Sequence, residues 1–545
     1  MPKLRIGIVD LVARGRSRTL YGRIMHANLA SIMPQVLGAW CEAEGHEVTF
    51  VVYTGFEDLA SELPRDLDLL FISAFSQSAQ VAYALSNMFQ QRGAVTVLGG
   101  PHARCYPEDS QKYFDYVLGF TDKDILRTVL EECTPHRPLG RRLAAKTQPQ
   151  HLPNLAERWK FIDQTLQKAP TIKLVPMLAS LGCPYTCPFC IDSTVDYQPL
   201  EFDQLKTDLR FLLTKMKRPK VGWHDPNFGI RFEQTMDAIE SAVPIGSIDF
   251  LAESSLSLLS EPHLKRLQQN SFQAILPGVE SWYDLGGKSK TGANRGLDKV
   301  KQVSEHINMV MRYVPYVQAN FVFGLDGDAG KEPFELTKEF INRSPGTFPG
   351  YSLLTAFGRA APLNLDYQRT GRVLPFPFHF LNNNHAMNVK PLNYSWPDFY
   401  DGVIDVTAHT FSKQAIWNRF QANRGTVPRW MNFVRAVSSE GFGRLKYYRT
   451  VRGLLDTDRH FRAYFEGETT ELHPFYVARL KHDLGPLWDF LPAGSLVHDS
   501  HAYLNSMPAP APATNGHVKE AIAEVVAAHD PEPAPVSVAA GAPAN

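Results

Sequence analysis

Over the first 132 positions, short apolar runs alternate with longer stretches in which apolar residues recur at helical spacing. The runs are Arg5–Asp10, Glu47–Tyr53, Asp68–Ser73, Val95–Leu98 and Asp115–Leu118. They are short and almost continuously apolar, as strands buried on both faces are. Between them lie expected helices at Pro34–Glu44, Ala79–Gln91 and Asp122–Glu132. The first has Pro at its start and Gly45 just past its end, which is the usual helix asymmetry. Strands separated by helices predict a parallel, doubly wound sheet of the flavodoxin-like kind. Ligands of such sheets sit outside the carboxyl ends of the strands.

Residues 133–170 read as a connector of basic, Pro and Gln residues with little periodicity. A second alternation follows, with strands expected at Thr171–Ala179, Lys220–Trp223, Ser247–Leu251, Gln273–Leu276, Val317–Phe323 and Tyr351–Ala356. Helical patterns such as Phe202–Lys215 separate most of them. Six βα units predict a partial, open (β/α)6 version of the parallel barrel, since closure takes eight. Residues 366–505 are rich in Arg and aromatic residues, with expected helices at Pro428–Ala436 and Arg444–Leu455. They are expected either as amphipathic surface helices or as a lining of the substrate opening. Residues 506–545 are rich in Ala and Pro, with little to bury, and are expected to be disordered. The expected division is therefore 1–140, 141–365, 366–505 and 506–545.

Charge changes this picture little. Lys+Arg and Asp+Glu are both 56, so no basic excess points to nucleic acid. No apolar run of about 18 residues predicts a membrane span. The first residues show no signal-peptide core, so a cytoplasmic location is expected.

Cysteine placement changes it a great deal. Cys41, Cys105 and Cys133 stand alone and read as packing residues. The other three lie in Leu181-Gly-Cys183-Pro-Tyr-Thr-Cys187-Pro-Phe-Cys190, just after the first strand of the second alternation. Three thiolates on one loop can hold three irons of a cubane cluster and leave the fourth iron open to chemistry. A structural zinc site wants four ligands, usually in paired Cys-x2-Cys form. No second pair exists, and His224 is a fourth ligand only by accident.

This spacing, with the aromatic Phe189 before the last cysteine, resembles the radical S-adenosylmethionine superfamily. The resemblance covers about residues 171–360. It implies a [4Fe–4S] cluster on Cys183, Cys187 and Cys190, whose open iron chelates S-adenosylmethionine. One electron then cleaves the sulfonium to a 5′-deoxyadenosyl radical. It also implies an external electron donor such as a flavodoxin or ferredoxin. Trp223-His-Asp225-Pro-Asn227-Phe resembles the second-strand end of cobalamin-associated members. Gly278-Val-Glu280-Ser resembles the fourth-strand end, and Asn320 to Asp328 with Gly324 the fifth. Phe189, Asp225, Asn227, Glu253, Glu280 and Gly324 are thereby expected around S-adenosylmethionine. The two glutamates also fit as plain surface or capping carboxylates. No catalytic residue is singled out.

Residues 1–132 resemble the cobalamin-binding domain often fused ahead of such a barrel, most closely at Val97-Leu-Gly99-Gly100-Pro-His102. The family fingerprint Asp-x-His-x-x-Gly matches Asp10-Leu-Val12-Ala-Arg-Gly15, with Val12 where the histidine would ligate cobalt. Either cobalt lacks a histidine ligand or the domain has lost its cofactor. Ser73 is expected at the cofactor's nucleotide tail or as a strand cap. His102 is expected either at the corrin border or hydrogen-bonded within its loop. The resemblance implies methyl transfer to an unactivated carbon or phosphorus centre of a small molecule or natural-product intermediate. Radical cyclisation, rearrangement or oxidation with a retained or vestigial cobalamin domain is the alternative, and a non-enzymatic iron–sulfur protein is a third reading.

Overall fold

The structure is a computed structural model that describes residues 2–17, 19–25, 30–133, 140–149, 151–169, 171–502 and 504. The expected disordered tail at 506–545 lies outside these residues.

The first sheet is built from β1 (Arg5–Leu11), β2 (Glu47–Tyr53), β3 (Leu69–Ala74), β4 (Val95–Gly99), β5 (Tyr116–Leu118) and β6 (Arg141–Leu143). Its order is β2-β1-β3-β4-β5-β6 and every pairing is parallel. Five of these strands are those expected. β6 is an addition that carries the sheet past the expected boundary at 140. Its register against β5 pairs Arg141 with Tyr116 and Leu143 with Leu118.

The expected connector also holds a helix, Leu155–Lys168. Asn154 and Glu157 form a capping box at its start, so two of its orphan N–H groups are satisfied reciprocally. Leu155, Phe161, Ile162 and Leu166 are buried along one face. Arg158 interrupts that face in the sequence. It is buried all the same, donating to the Pro153 carbonyl at 3.0 Å and to Gln35 Oε1 at 2.9 Å. An arginine on the inner face is what hid the helical period.

The second sheet begins with β7 (Leu174–Met177). A two-strand antiparallel hairpin follows, β8 (Ser180–Leu181) with β9 (Gln198–Pro199), and then β10 (Lys220–Trp223), β11 (Asp249–Ser255), β12 (Phe272–Glu280), β13 (Tyr316–Phe323) and β14 (Phe348–Leu353). Leaving aside the hairpin, the order is β14-β13-β12-β11-β10-β7, all parallel. Chain order and spatial order thus coincide, as successive right-handed βα units require. Trp223, Phe228, Phe250 and Phe272 stack through the interior of this sheet at ring separations of 5.0–5.8 Å. Beyond residue 366 the described chain is mainly helical, including Trp396–Thr410, Lys413–Ala422, Thr426–Val437, Arg444–Thr457 and Pro474–Leu484. Among the described residues no helix is long and apolar enough to cross a membrane.

Candidate active site between the two sheets

The three cysteines lie on the loop between β8 and β9. Gly182 opens that loop with φ +68°, a left-handed conformation that costs a side-chain-bearing residue roughly 1 kcal/mol. Space forbids a side chain there too, because a Cβ would collide with the Asp196 carbonyl. The loop is then held by its own backbone. Cys190 N–H donates to the Cys187 carbonyl at 3.0 Å, and Asp192 N–H points at Cys190 Sγ at 3.5 Å. Arg104 reaches over from the first-sheet side, donating to the Ile191 carbonyl at 2.9 Å and to Asp192 Oδ1 at 3.4 Å. Cys187 is buried, and Cys183 and Cys190 are half-buried.

Burial pushes all three thiols up, Cys190 to about 12, while Lys288 works against burial at each. Their protons must leave when iron binds, so cluster binding is coupled to deprotonation. Among the described residues no three of His, Cys, Asp and Glu converge on one point as ligands of a single metal ion do. A cubane makes no such demand, because each cysteine holds a different corner. Asn227 supplies an independent sign of fit. Its Oδ1 accepts from Ser255 N–H at 2.8 Å, but its buried Nδ2 has no partner in hydrogen-bond range. That amide faces the Cys183 thiol and favours its thiolate form. A buried amide beside the loop can donate to the Cys183 thiolate.

The carboxylates divide into two kinds. Glu253 keeps exposed surface although protein surrounds its carboxylate. Burial, and then the Glu280 carboxylate, push the Glu253 carboxyl above its ordinary pKa. Glu280 ends β12 with φ +65°, an uncommon conformation for a residue bearing a side chain, and accepts from Lys288 Nζ at 2.9 Å. Gly278 makes this possible, since a Cβ there would collide with Glu280 Oε1 and press on Lys288. Asp225 is of the other kind. It spends its carboxylate on the chain entering the cysteine loop, accepting from Ala179 N–H at 3.0 Å and Ser180 Oγ at 2.6 Å. Burial pushes it up to about 6. Asp225 therefore steadies the chain that enters the loop. Gly324 is likewise enclosed. Its N–H donates to Asp328 Oδ2 at 3.0 Å, and Met387 packs where a Cβ would stand.

A cleft of about 310 Å³ runs along the carboxyl ends of β1, β3, β4 and β5 and is closed on the far side by Leu181, Gly182, Asp192 and His224. Ser73, Gly99 and Gly100 line it. Nothing lies within 4 Å of where a Gly99 Cβ would be, so its Cα opens onto free space. Gly100 is constrained by backbone instead, with φ +86° and Ala74 close behind. A second cavity of about 380 Å³ is lined by Phe189, Cys190 and Glu280 on one side and by Ser76, Gln77 and Cys105 on the other. Phe75 and Pro101 line both cavities, so the two meet there.

Asp10 lies beneath the cleft, fully buried. It accepts from Ser31 N–H at 2.5 Å and Ser31 Oγ at 3.0 Å, with Ser73 also hydrogen-bonded. Burial pushes it from 3.8 up to about 6 despite those bonds. The folded state thus binds a proton that the unfolded state has released between those values. Stability is fully present below about pH 4 and falls as pH rises through about 6, by up to about 3 kcal/mol. Asp10→Asn keeps the shape and removes the charge. Its melting temperature should exceed that of the parent above pH 6 and converge with it below pH 4. Parallel curves across that range would refute the assignment.

Val12 is half-buried and lines neither cavity. Its loop is tied down by Arg14, which meets His385 Nε2 at 3.1 Å and Asp483 at 3.9 Å. His102 was expected at the corrin border or hydrogen-bonded within its loop, and its hydrogen bonds go instead to other elements of the first domain. It is buried, with Tyr83 Oη at 2.7 Å from Nε2 and Ser76 Oγ at 3.3 Å from Nδ1, and lines neither cavity. Sequence reasoning passed over Arg104 and Lys288. The second sits in Gly286-Gly-Lys288-Ser-Lys, whose only signal was a lysine soon after a strand ending in Glu280.

Two parallel sheets whose carboxyl ends border adjoining cavities, with a three-cysteine loop between them, make up the candidate site. No family model matches the chain. Sequence similarity is found to the bacteriochlorophyllide d C-12(1)-methyltransferase of Chlorobaculum tepidum, 22% identical over 387 residues, which are 69% of this chain and 82% of that one. The C-8(2)-methyltransferase of the same organism is 22% identical over 306 residues, 54% of this chain and 66% of its own. In fold the chain is similar to the cobalamin-dependent S-adenosylmethionine radical enzyme OxsB with aqua-cobalamin bound. The TM-score is 0.53 at 11% identity, covering 96% of this chain and 84% of that one.

Proposed function

We propose that the protein is a cobalamin-dependent radical S-adenosylmethionine methyltransferase acting on an unactivated carbon or phosphorus centre of a small molecule or natural-product intermediate. One observation carries the reading: the cavity bordered by Cys190 and Phe189 meets, at Phe75 and Pro101, the cleft lined by Ser73, Gly99 and Gly100. A cluster and a corrin held in these places would face the same substrate. When bound, they supply the radical and the methyl carrier.

The chain's own residues do the positioning. Cys183, Cys187 and Cys190 hold the cluster, and Asn227 and Asp225 steady its loop. Glu253 and Glu280 present carboxylates to the ammonium and ribose hydroxyls of S-adenosylmethionine, with Phe189 beside them. Ser73, Gly99 and Gly100 receive the cobalamin tail. Residues 1–140, extended by β6, form the cobalamin part, 141–365 the radical part and 366–505 a helical cover. The electron comes from a flavodoxin or ferredoxin. The sequence relatives are named for methyl transfer to bacteriochlorophyllide, which favours methyl transfer over other radical chemistry.

The test is anaerobic reconstitution with iron, sulfide and cobalamin, followed by mass spectrometry after addition of S-adenosylmethionine and reductant. Stoichiometric corrin, 5′-deoxyadenosine and a methylated product are expected. Electron paramagnetic resonance of the cobalt(II) form should show no axial-nitrogen splitting, because the cofactor's own benzimidazole would be displaced, Val12 offers no ligand and both His102 nitrogens are engaged within the protein. Val12 is also the specific observation behind a second reading, a radical cyclase, rearrangement or oxidative enzyme with a vestigial cobalamin domain. Protein that cleaves S-adenosylmethionine but retains no corrin would establish that reading instead.

A further inference from the structure

The helices Lys413–Ala422 and Thr426–Val437 follow each other as a hairpin, and its outer face is unusual. Inwardly it behaves normally. Ile416 and Ala436 pack with Phe348 and Tyr316, and buried Arg419 donates to the Thr347 carbonyl at 3.0 Å. Outwardly it is apolar. Trp417 is 55% exposed, Val427 72%, Trp430 55%, Phe433 37% and Val437 41%. Val427, Trp430 and Val437 recur at helical spacing, so one stripe of the second helix offers hydrocarbon to solvent. The aromatic rings form a ladder that includes the half-buried Phe420. Trp417 stacks on Phe420 at 5.9 Å, Phe420 meets Trp430 at 5.6 Å, and Trp430 meets Phe433 at 5.8 Å. A contiguous patch of this kind marks an interaction surface.

Charge identifies the partner. From Val406 to Ser439 the chain has five basic residues and no Asp or Glu. Arg419 and Arg435 serve the interior, the latter pairing with Glu440. Lys413 and Arg424 are exposed and Arg429 half-buried, and none of the three has a carboxylate partner among the described residues. Lys413 lies one turn before Trp417 on the same face. Arg429 lies over the Phe420 ring at 5.8 Å. A second copy docked through this face by a two-fold axis would set basic side chains against basic ones. Aromatic rings flanked by unpaired Lys and Arg instead match the headgroup region of an anionic bilayer.

We propose that this hairpin docks the protein on an anionic membrane surface, with Trp417, Trp430, Val427 and Phe433 entering the interface and Lys413, Arg424 and Arg429 meeting lipid phosphates. Docking is peripheral and independent of the reaction proposed above. It is tested by co-sedimenting the full-length protein with vesicles of phosphatidylglycerol in phosphatidylcholine, and with phosphatidylcholine alone. Preferential binding to the anionic vesicles is expected, weakened by high salt. The double variant W417S/W430S and the charge reversal K413E/R424E should each reduce partitioning about tenfold or more. Both should keep the parent melting temperature, because the four side chains lie on the exposed face. Equal binding to both vesicle types, no binding, or loss traced by light scattering to a dimer built on this face would each overturn the proposal.

Discussion

Replacing Cys183, Cys187 and Cys190 together with alanine is expected to remove iron–sulfur absorbance and S-adenosylmethionine cleavage completely while leaving the fold in place. The loop does not depend on the thiols for its course. Its entry is fixed by Gly182 and by the bonds from Ala179 and Ser180 to Asp225, and its exit by Arg104 on Ile191. Losing three sulfurs from a partly buried loop costs packing of about 1 kcal/mol each or less. It also removes three groups that burial holds in the neutral form. Circular dichroism and the apo melting temperature should therefore change little, whereas iron content and 5′-deoxyadenosine should fall below detection. A triple variant that still assembled a four-iron cluster would exclude these cysteines as its ligands.

Continuous apolar runs such as Arg5–Asp10 and Asp68–Ser73 stayed legible because strands buried on both faces leave no polar positions to confuse them. The cysteine loop was legible because its chemistry lies within eight consecutive residues. β6 was not, being three residues long with two exposed arginines. The helix at Leu155–Lys168 was not, because an arginine stands on its inner face. Strand-end residues were found correctly as polar positions, but their direction was not in the sequence. Asp225 and Glu253 both follow the apolar part of a strand. Only the fold shows that the first accepts from Ala179 and Ser180 while the second keeps exposed surface beside Glu280. His102 was ambiguous for the same reason. Its partner Tyr83 lies 19 residues away on a helix, beyond the reach of any local motif.

Lys288→Met should be the most damaging single change outside the cysteines. The Lys288–Glu280 pair is largely removed from water, at 20% and 12% side-chain exposure. Burial alone pulls the Lys288 ammonium down, but Glu280 and the neighbouring thiols outweigh it and hold it above its ordinary range. Taking the lysine away leaves the Glu280 carboxylate beside Glu253 with no counter-charge of its own, and breaking a buried pair in this way costs about 3–5 kcal/mol. It also removes the positive charge that favours the thiolate at all three cysteines, so iron should be retained less well. The double variant K288M/E280Q separates the two effects. Neutralising the orphaned carboxylate should restore most of the lost melting temperature, because the pair as a whole is worth far less than one abandoned partner. It should not restore iron retention, which depends on the charge of Lys288 rather than on the pair. A single variant as stable as the parent would refute the cost assigned to the abandoned Glu280 carboxylate, and a double variant that recovers iron as fully as stability would show that Lys288 acts only as the neighbour of Glu280 and not on the cysteine loop.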